Sequence, residues 1–137
     1  MAALVDTLQI SAAGMRAQAD RLRVVAENLA TAESTSATPG GTPYRRKIVV
    51  FQNVLNKQLG IDTVSVGKRT EDQSPFQKKY EPTHPAADAQ GYVLYPNVNS
   101  IVEMMDMREA RRAYEANINV VEVSKSMLTQ TLSLLQK

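Results

Sequence analysis

The sequence has no cysteine, no tryptophan and a single histidine. Without Cys there is no disulfide framework and no thiolate metal site, and a lone imidazole removes the paired-histidine ligand sets of zinc centres. His84 stands in Pro82-Thr-His-Pro85 with no second His or carboxylate cluster beside it, the setting of a loop or packing histidine and not of a metal ligand or general base. No Gly-rich phosphate loop of the P-loop or dinucleotide type is present. Glu71-Asp72, flanked by Lys68, Arg69 and Gln73, reads as a solvated loop and not as a catalytic carboxylate pair. With no reactive constellation in view, the expectation is a protein that is not an enzyme and needs no cofactor or metal.

Long apolar runs are also missing. No stretch approaches the roughly 18 consecutive apolar residues of a membrane span, and the start, MAALVDTLQISAAGMRAQAD, lacks the basic-then-apolar form of a secretory signal. A protein acting outside the cytoplasm with such a start has to leave by a route that needs no cleavable signal. Aromatic residues make up only 5%, so packing must rest on Leu, Val, Ile, Met and Ala. Sixteen basic against fourteen acidic residues leave a formal charge of +2, too little for a dedicated nucleic-acid binder. The densest basic run, Arg45-Arg46-Lys47, leads into IVVF and reads as a strand at a protein contact or facing solvent.

What the chain does have is heptad periodicity at both ends. Leu8, Met15, Leu22 and Leu29 are seven apart, and so are Val5, Ala12, Ala19 and Ala26. This a/d pattern, mostly small on one line and large on the other, predicts a helix from Leu4 to about Ala32, on the order of 40 Å long. At the other end Met107, Tyr114, Val121, Leu128 and Leu135 recur every seven residues, with Met104, Ile118 and Leu132 on the neighbouring line. Val120, Met127 and Leu134 widen that stripe, so the second helix should touch more than one neighbour. Ser100-Ile-Val-Glu103 has the form of a capping box and marks where this helix should start. Met104, Met105 and Met107 suit an adaptable contact surface or ordinary helix packing.

Between the helices the period changes. ESTSATPGGTP (33–43) breaks the first helix, and YRRKIVVF, TVSVGK and GYVLY are β-rich runs separated by turn residues. The predicted fold class is mainly α with a small β insert: long N- and C-terminal helices paired as a coiled-coil-like hairpin around a β-rich middle. The expected divisions are residues 1–33 (first helix), 34–96 (linker and β-rich insert) and 97–137 (second helix). Basic charge is concentrated in the insert, where residues 44–80 hold eight Lys/Arg against three Asp/Glu.

Three uses of the amphipathic ends compete: a hairpin that completes its own monomer, a membrane-surface helix, and a subunit that buries its seams against neighbouring copies. The membrane use calls for Lys/Arg along the polar face and large apolar residues opposite. Alanine on half of the first seam and a mixed-sign polar face favour close helix packing instead. A buried Asn such as Asn28 or Asn117 could set helix register, and a helix-end cap is an equal alternative for Asn28. A cytosolic coiled-coil adaptor would account for the same helices.

Ser11-Ala-Ala-Gly-Met15 with Ala26-Glu-Asn-Leu-Ala30 resembles the N-terminal signature of bacterial flagellar rod and hook proteins. Asn97-Val-Asn-Ser100, Val102-Glu-Met-Met-Asp-Met107 and Arg112-Ala-Tyr-Glu-Ala-Asn117 resemble the C-terminal signature of that family. Gly40-Gly-Thr-Pro-Tyr-Arg-Arg46 and His84-Pro-Ala-Ala-Asp88 through Gly91-Tyr-Val93 are similar to its proximal-rod members, so the likeness covers nearly the whole chain. One position departs: the family's usual Asn after Asn-Leu-Ala is Thr31 here. The motif residues are thus Asn28, Tyr44, Arg45, Arg46, Pro85, Asp88, Gly91, Tyr92, Asn97 and Asn117.

The resemblance implies a structural subunit that leaves the cell through the flagellar type III export apparatus and stacks into a hollow helical rod in the periplasm. The implied partners are copies of itself, other rod proteins, an adaptor protein at the rod base and distal-rod subunits, with no nucleic acid and no membrane span.

Overall fold

The computed structural model describes residues 2–57 and 60–136. In chain order the elements are α1 (Ala2–Ala30), β1 (Lys47–Ile48), β2 (Phe51–Asn56), β3 (Ile61–Val66), β4 (Thr70–Glu71), β5 (Gln77–Tyr80), β6 (Tyr92–Tyr95) and α2 (Ser100–Leu135). Two long terminal helices bracket short antiparallel strands, the mainly α architecture with a β insert that the periodicities predict. The strands form three separate two-stranded ladders, β1 with β4, β2 with β3, and β5 with β6. β4 and β5 escape a sequence reading because Thr70-Glu71 and Gln77-Lys78-Lys79-Tyr80 are exposed throughout and carry no apolar alternation.

Helix ends are closed by side chains. The Thr31 hydroxyl donates to the Glu27 carbonyl at 2.6 Å, and Ser34 N–H donates to the Thr31 carbonyl at 3.0 Å, so threonine at this position finishes the last turn of α1 without an amide. The cap of α2 is Asn99 and not Ser100: its Oδ1 accepts the N–H groups of Ile101 at 3.0 Å and Val102 at 3.4 Å. The capping box expected for Ser100 and Glu103 therefore does not form, and the cap lies one residue earlier. Glu103 does not reach back to the cap, because its carboxylate is drawn sideways by Asn28 and Arg46.

The chain divides into two compact units. The helix-end unit comprises the residues up to Leu22, Val50–Lys68, and Arg108 onward; the motif unit comprises Arg23–Val49 and Arg69–Met107. Residues 34–96, grouped together by composition, are thus shared between the units.

In the helix-end unit α1 and α2 approach closely at Gly14, where an added Cβ would lie 2.9 Å from Asn117 Nδ2. Arg21 Nη2 and Glu109 Oε2 lie 3.4 Å apart. Since position rises on α1 as it falls on α2, the two segments run antiparallel here. The β2–β3 hairpin is in register from Phe51 opposite Val66 to Asn56 opposite Ile61.

In the motif unit a small core of Ala86, Val93 and Tyr95 sits behind the β5–β6 ladder, with Ala87 against it. Val24, Val25, Ala32 and Val98 are buried as well, and so are two polar side chains, Asn28 and Glu103.

Candidate assembly site

The seams predicted from periodicity are only half enclosed. On α1, Leu8, Ala12, Met15, Leu22 and Leu29 are half-buried, while Val5, Ala19 and Ala26 are exposed. On α2, Met107, Tyr114, Ile118, Val121 and Leu128 are half-buried, and Leu132 and Leu135 are exposed. The enclosed line of α2 lies beside them: Glu103, Ala110 and Ser124 are buried and Asn117, on the same heptad spacing, is half-buried. The buried α1 residues of the helix-end unit are equally small, Ser11, Ala13 and Ala17.

Hydrophobic periodicity cannot find these lines, because they are small and polar. Close approach selects them, since helices that meet at a glycine have no room for Leu between them. The large apolar side chains then face away. Val120, Val123, Met127, Leu134 and Leu135 are exposed on α2, the last two at 72%, and Val5 and Ile10 are exposed on α1.

The motif unit is organised around a polar node that gathers Asn28, Tyr44, Arg45, Arg46 and Asn97, half of the motif residues. Asn28, 1% exposed, uses both ends of its amide. Its Oδ1 accepts from the Tyr44 hydroxyl at 2.7 Å and from Lys47 N–H at 3.0 Å; its Nδ2 donates to the Lys47 carbonyl at 3.0 Å and to Glu103 Oε2 at 3.4 Å. The side chain thus pairs with the Lys47 backbone as a neighbouring strand would. Glu103 is 0% exposed and takes the Arg46 Nε–H on its other oxygen. Arg46 also reaches Asp72 and Asp106, each at 3.5 Å.

Asn97 completes the framework. Its Oδ1 accepts Arg46 N–H at 2.8 Å, and its Nδ2 donates to the carbonyls of Asp72 at 2.9 Å and Ser74 at 3.1 Å. Arg45 turns the other way, donating to the Asp72 carbonyl at 3.1 Å with its guanidinium 4.3 Å from the centre of the Phe76 ring. Arg45 and Arg46 thus both engage Asp72, the first at its carbonyl and the second at its carboxylate, so neither guanidinium is left to solvent alone. Lys47 pairs with Glu27 at 3.2 Å.

The titration shifts follow from this packing. Burial opposes the Arg46 cation, but the hydrogen bond and charge of Glu103, with the charges of Asp72 and Asp106, outweigh it and raise its pKa. Hydrogen bonds from Ser74 and the charge of Arg46 hold the Asp72 carboxyl below its ordinary value. Burial lifts the Tyr44 hydroxyl above its ordinary value although Lys47 pulls it down.

The remaining motif residues build the turn that leads into β6. Asp88 Oδ1 accepts the N–H groups of Gln90 and Tyr92, both at 2.9 Å. Gly91 has φ +88°, and an added Cβ would lie 2.9 Å from Tyr80, whose ring meets Tyr92 edge-on at 5.3 Å. Pro85 is exposed in the preceding turn, where His84 Nδ1 accepts Ala86 N–H at 3.0 Å, so the one histidine is a turn staple. Asn117 is the motif residue that stands apart, against Gly14 in the helix-end unit. Among the described residues no group of three or more His, Asp or Glu side chains is placed to hold a metal, and no helix is long and apolar enough to cross a membrane.

Known proteins match along nearly the whole chain. A family profile described as "Flagellar basal body rod FlgEFG protein C-terminal" matches residues 89–134. The flagellar basal-body rod protein FlgC of Agrobacterium fabrum is 44% identical over 128 residues, covering 93% of this chain and 92% of the relative. That of Salmonella typhimurium is 43% identical over 132 residues, covering 96% and 98%. That of Bacillus subtilis is 38% identical over 143 aligned positions, covering 93% and 95%. The chain belongs to the FlgC family of flagellar basal-body rod proteins, a family of structural subunits and not of enzymes.

Proposed function

We propose that this rod subunit builds the proximal rod, stacking helically into the hollow drive shaft that carries motor torque to the hook and conducts exported subunits. Its terminal helices pair as a coiled-coil-like inner layer, and its partners are further copies, other rod proteins, an adaptor at the rod base and distal-rod subunits. It works in the periplasm and reaches it through the type III export apparatus.

One observation carries the assembly reading. In the helix-end unit small and polar side chains lie inside, while Val120, Val123, Met127, Leu134 and Leu135 lie outside. A hairpin that merely completed its own monomer would bury the large side chains and expose the small ones, since each fully buried Leu or Met stabilises by about 1.5–3 kcal/mol. A contact that repeats head-to-tail without closing generates a helical filament from such a face. Localising the chain in isolated basal bodies tests the assignment: density or label at the motor-proximal end of the rod is the expected result, and a chain found only in the cytoplasm would favour a coiled-coil adaptor.

A further inference from the structure

Each ladder of the insert has only two strands, and an open strand edge is a template for a further strand unless something guards it. Two of the three ladders are guarded. β1 and β4 are two residues long and carry Lys47 and Glu71. β5 reads Gln77-Lys78-Lys79-Tyr80, with a pair of lysines, and its partner β6 buries Val93 and Tyr95. β2, Phe51-Gln-Asn-Val-Leu-Asn56, is six residues long and has no charge, no proline and no glycine. Within the helix-end unit its partner β3 is the sheltered strand: Thr63 to Val66 line a groove of about 270 Å³ together with Ala13, Arg16, Ala17 and Asp20 of α1. On β2 itself, residues Phe51 to Leu55 are all exposed, Leu55 at 56%.

The direction of the open backbone groups follows from the ladder. Gly67 N–H donates to the Val50 carbonyl at 2.7 Å, and antiparallel bonding alternates along the strand. The even-numbered residues of β2 therefore bond to β3, while Phe51, Asn53 and Leu55 aim N–H and carbonyl away from it. Among the described residues no strand pairs with that edge. A strand that fits it has to be extended and uncharged, with apolar side chains to set beside Phe51 and Leu55, and β2 is such a strand. Laid antiparallel on a second copy about Asn53, it brings Phe51 opposite Leu55 and Asn53 opposite Asn53. This register alone lets every outward residue of both copies exchange both bonds, and it puts the Phe–Leu pairs on one face. Lys57 falls opposite Val49, so no like charges meet.

We propose that β2 is a docking edge for a second copy of this chain, the two β2 strands joining antiparallel about Asn53 into a continuous β3-β2-β2-β3 sheet. Main-chain bonds hold the pair and the Phe51 and Leu55 side chains select it. A two-fold pair of this kind closes on itself, unlike the head-to-tail contact of a filament, so it belongs to subunits outside the rod and covers an adhesive edge there. The inference goes beyond the rod reading and does not depend on it.

Purified full-length chain, followed by sedimentation equilibrium at rising concentration, should pass from monomer to dimer. Asn53→Lys sets two cations face to face at the two-fold axis and should weaken the dimer by roughly tenfold with helical circular dichroism unchanged. Because the chain has no cysteine, a single one can report the register. Asn53→Cys puts the two cysteines of a dimer on Cα atoms about 5.5 Å apart, within disulfide reach, whereas Leu55→Cys, also exposed, leaves them about 14 Å apart. Under mild oxidation the first should cross-link roughly tenfold faster than the second. Adding Leu134→Asp and Leu135→Asp should leave the Asn53→Cys yield unchanged, which separates this edge from the outward helix face. Equal cross-linking at 53 and 55 would overturn the proposal, and so would a chain that stays monomeric at every concentration or a dimer indifferent to Asn53→Lys. Loss of the Asn53→Cys product on altering Leu134 and Leu135 would assign the contact to the helix face and overturn it as well. The two cysteine variants decide the matter even where Asn53→Lys unfolds the hairpin.

Discussion

The two units solve the same packing problem in opposite ways. The motif unit encloses polar groups and satisfies them: Asn28, Glu103, Arg46 and Asn97 spend nearly all of their hydrogen-bonding capacity inside the chain. The helix-end unit encloses alanine and serine and leaves Val120, Val123, Met127, Leu134 and Leu135 outside. A unit of the first kind has a reason to hold its shape alone. One of the second kind has a surface whose burial requires something else. The difference is the basis for proposing that the motif unit belongs to the monomer and the outer face of the helix-end unit to the assembly.

The comparison breaks first at Glu103. Replacing it by Ala removes the acceptor that Asn28 and Arg46 share in a site closed to water, and loss of one partner of a buried pair costs about 3–5 kcal/mol. Arg46 keeps Asp72 and Asp106, so the low end of that range is expected, read as a lowered urea midpoint. Gly91→Ala should follow at about 2 kcal/mol, because φ +88° strains any residue with a Cβ and Tyr80 fills the space it would take. The same denaturation series reads it.

A smaller effect is expected from acid. The folded-state pKa of Asp72 is depressed, so its contribution is complete above the ordinary carboxylate value and is lost as pH falls through the lower folded value. Below about pH 4 the unaltered chain should therefore lose stability more steeply than Asp72→Asn, as followed by circular dichroism during acid titration. Parallel acid limbs would remove Asp72 from the network. The smallest effect on stability belongs to the other unit, where Leu134→Asp and Leu135→Asp should change the unfolding free energy of the isolated chain by no more than about 0.5 kcal/mol, both side chains being mostly in water already.

Much of this contrast was legible in the sequence, and the parts that were not share a cause. Both helices follow from apolar residues recurring at helical spacing, and β1, β3 and β6 from β-branched and aromatic runs, because those signals are local, whereas β2 shares only Phe51 with such a run. The inner faces were not legible. Ala110 and Ser124 carry no hydrophobic signal, and it is the close approach at Gly14 that places them inside. Glu103 looked like the acid of a capping box, Asp72 like a loop carboxylate and Lys47 like one more positive charge. Each is defined by a partner at least 19 residues away in the chain, which composition and spacing do not record. The motif residues Asn28, Tyr44, Arg45, Arg46 and Asn97 did converge, although resemblance pointed to them and periodicity did not. The signal that could have flagged Glu103 is its heptad spacing with Ala110, Asn117 and Ser124, a polar head on a line of small residues.

The central claim is that the outward apolar face of the helix-end unit is covered by neighbouring subunits in the rod. Its most direct test is the rod content of basal bodies isolated from cells whose only copy of the protein carries Leu134→Asp and Leu135→Asp. The account predicts a chain that is made and exported at normal level, is as stable as the parent, and is absent from rods, with motility lost. Complete rods and normal swimming from that variant would contradict it.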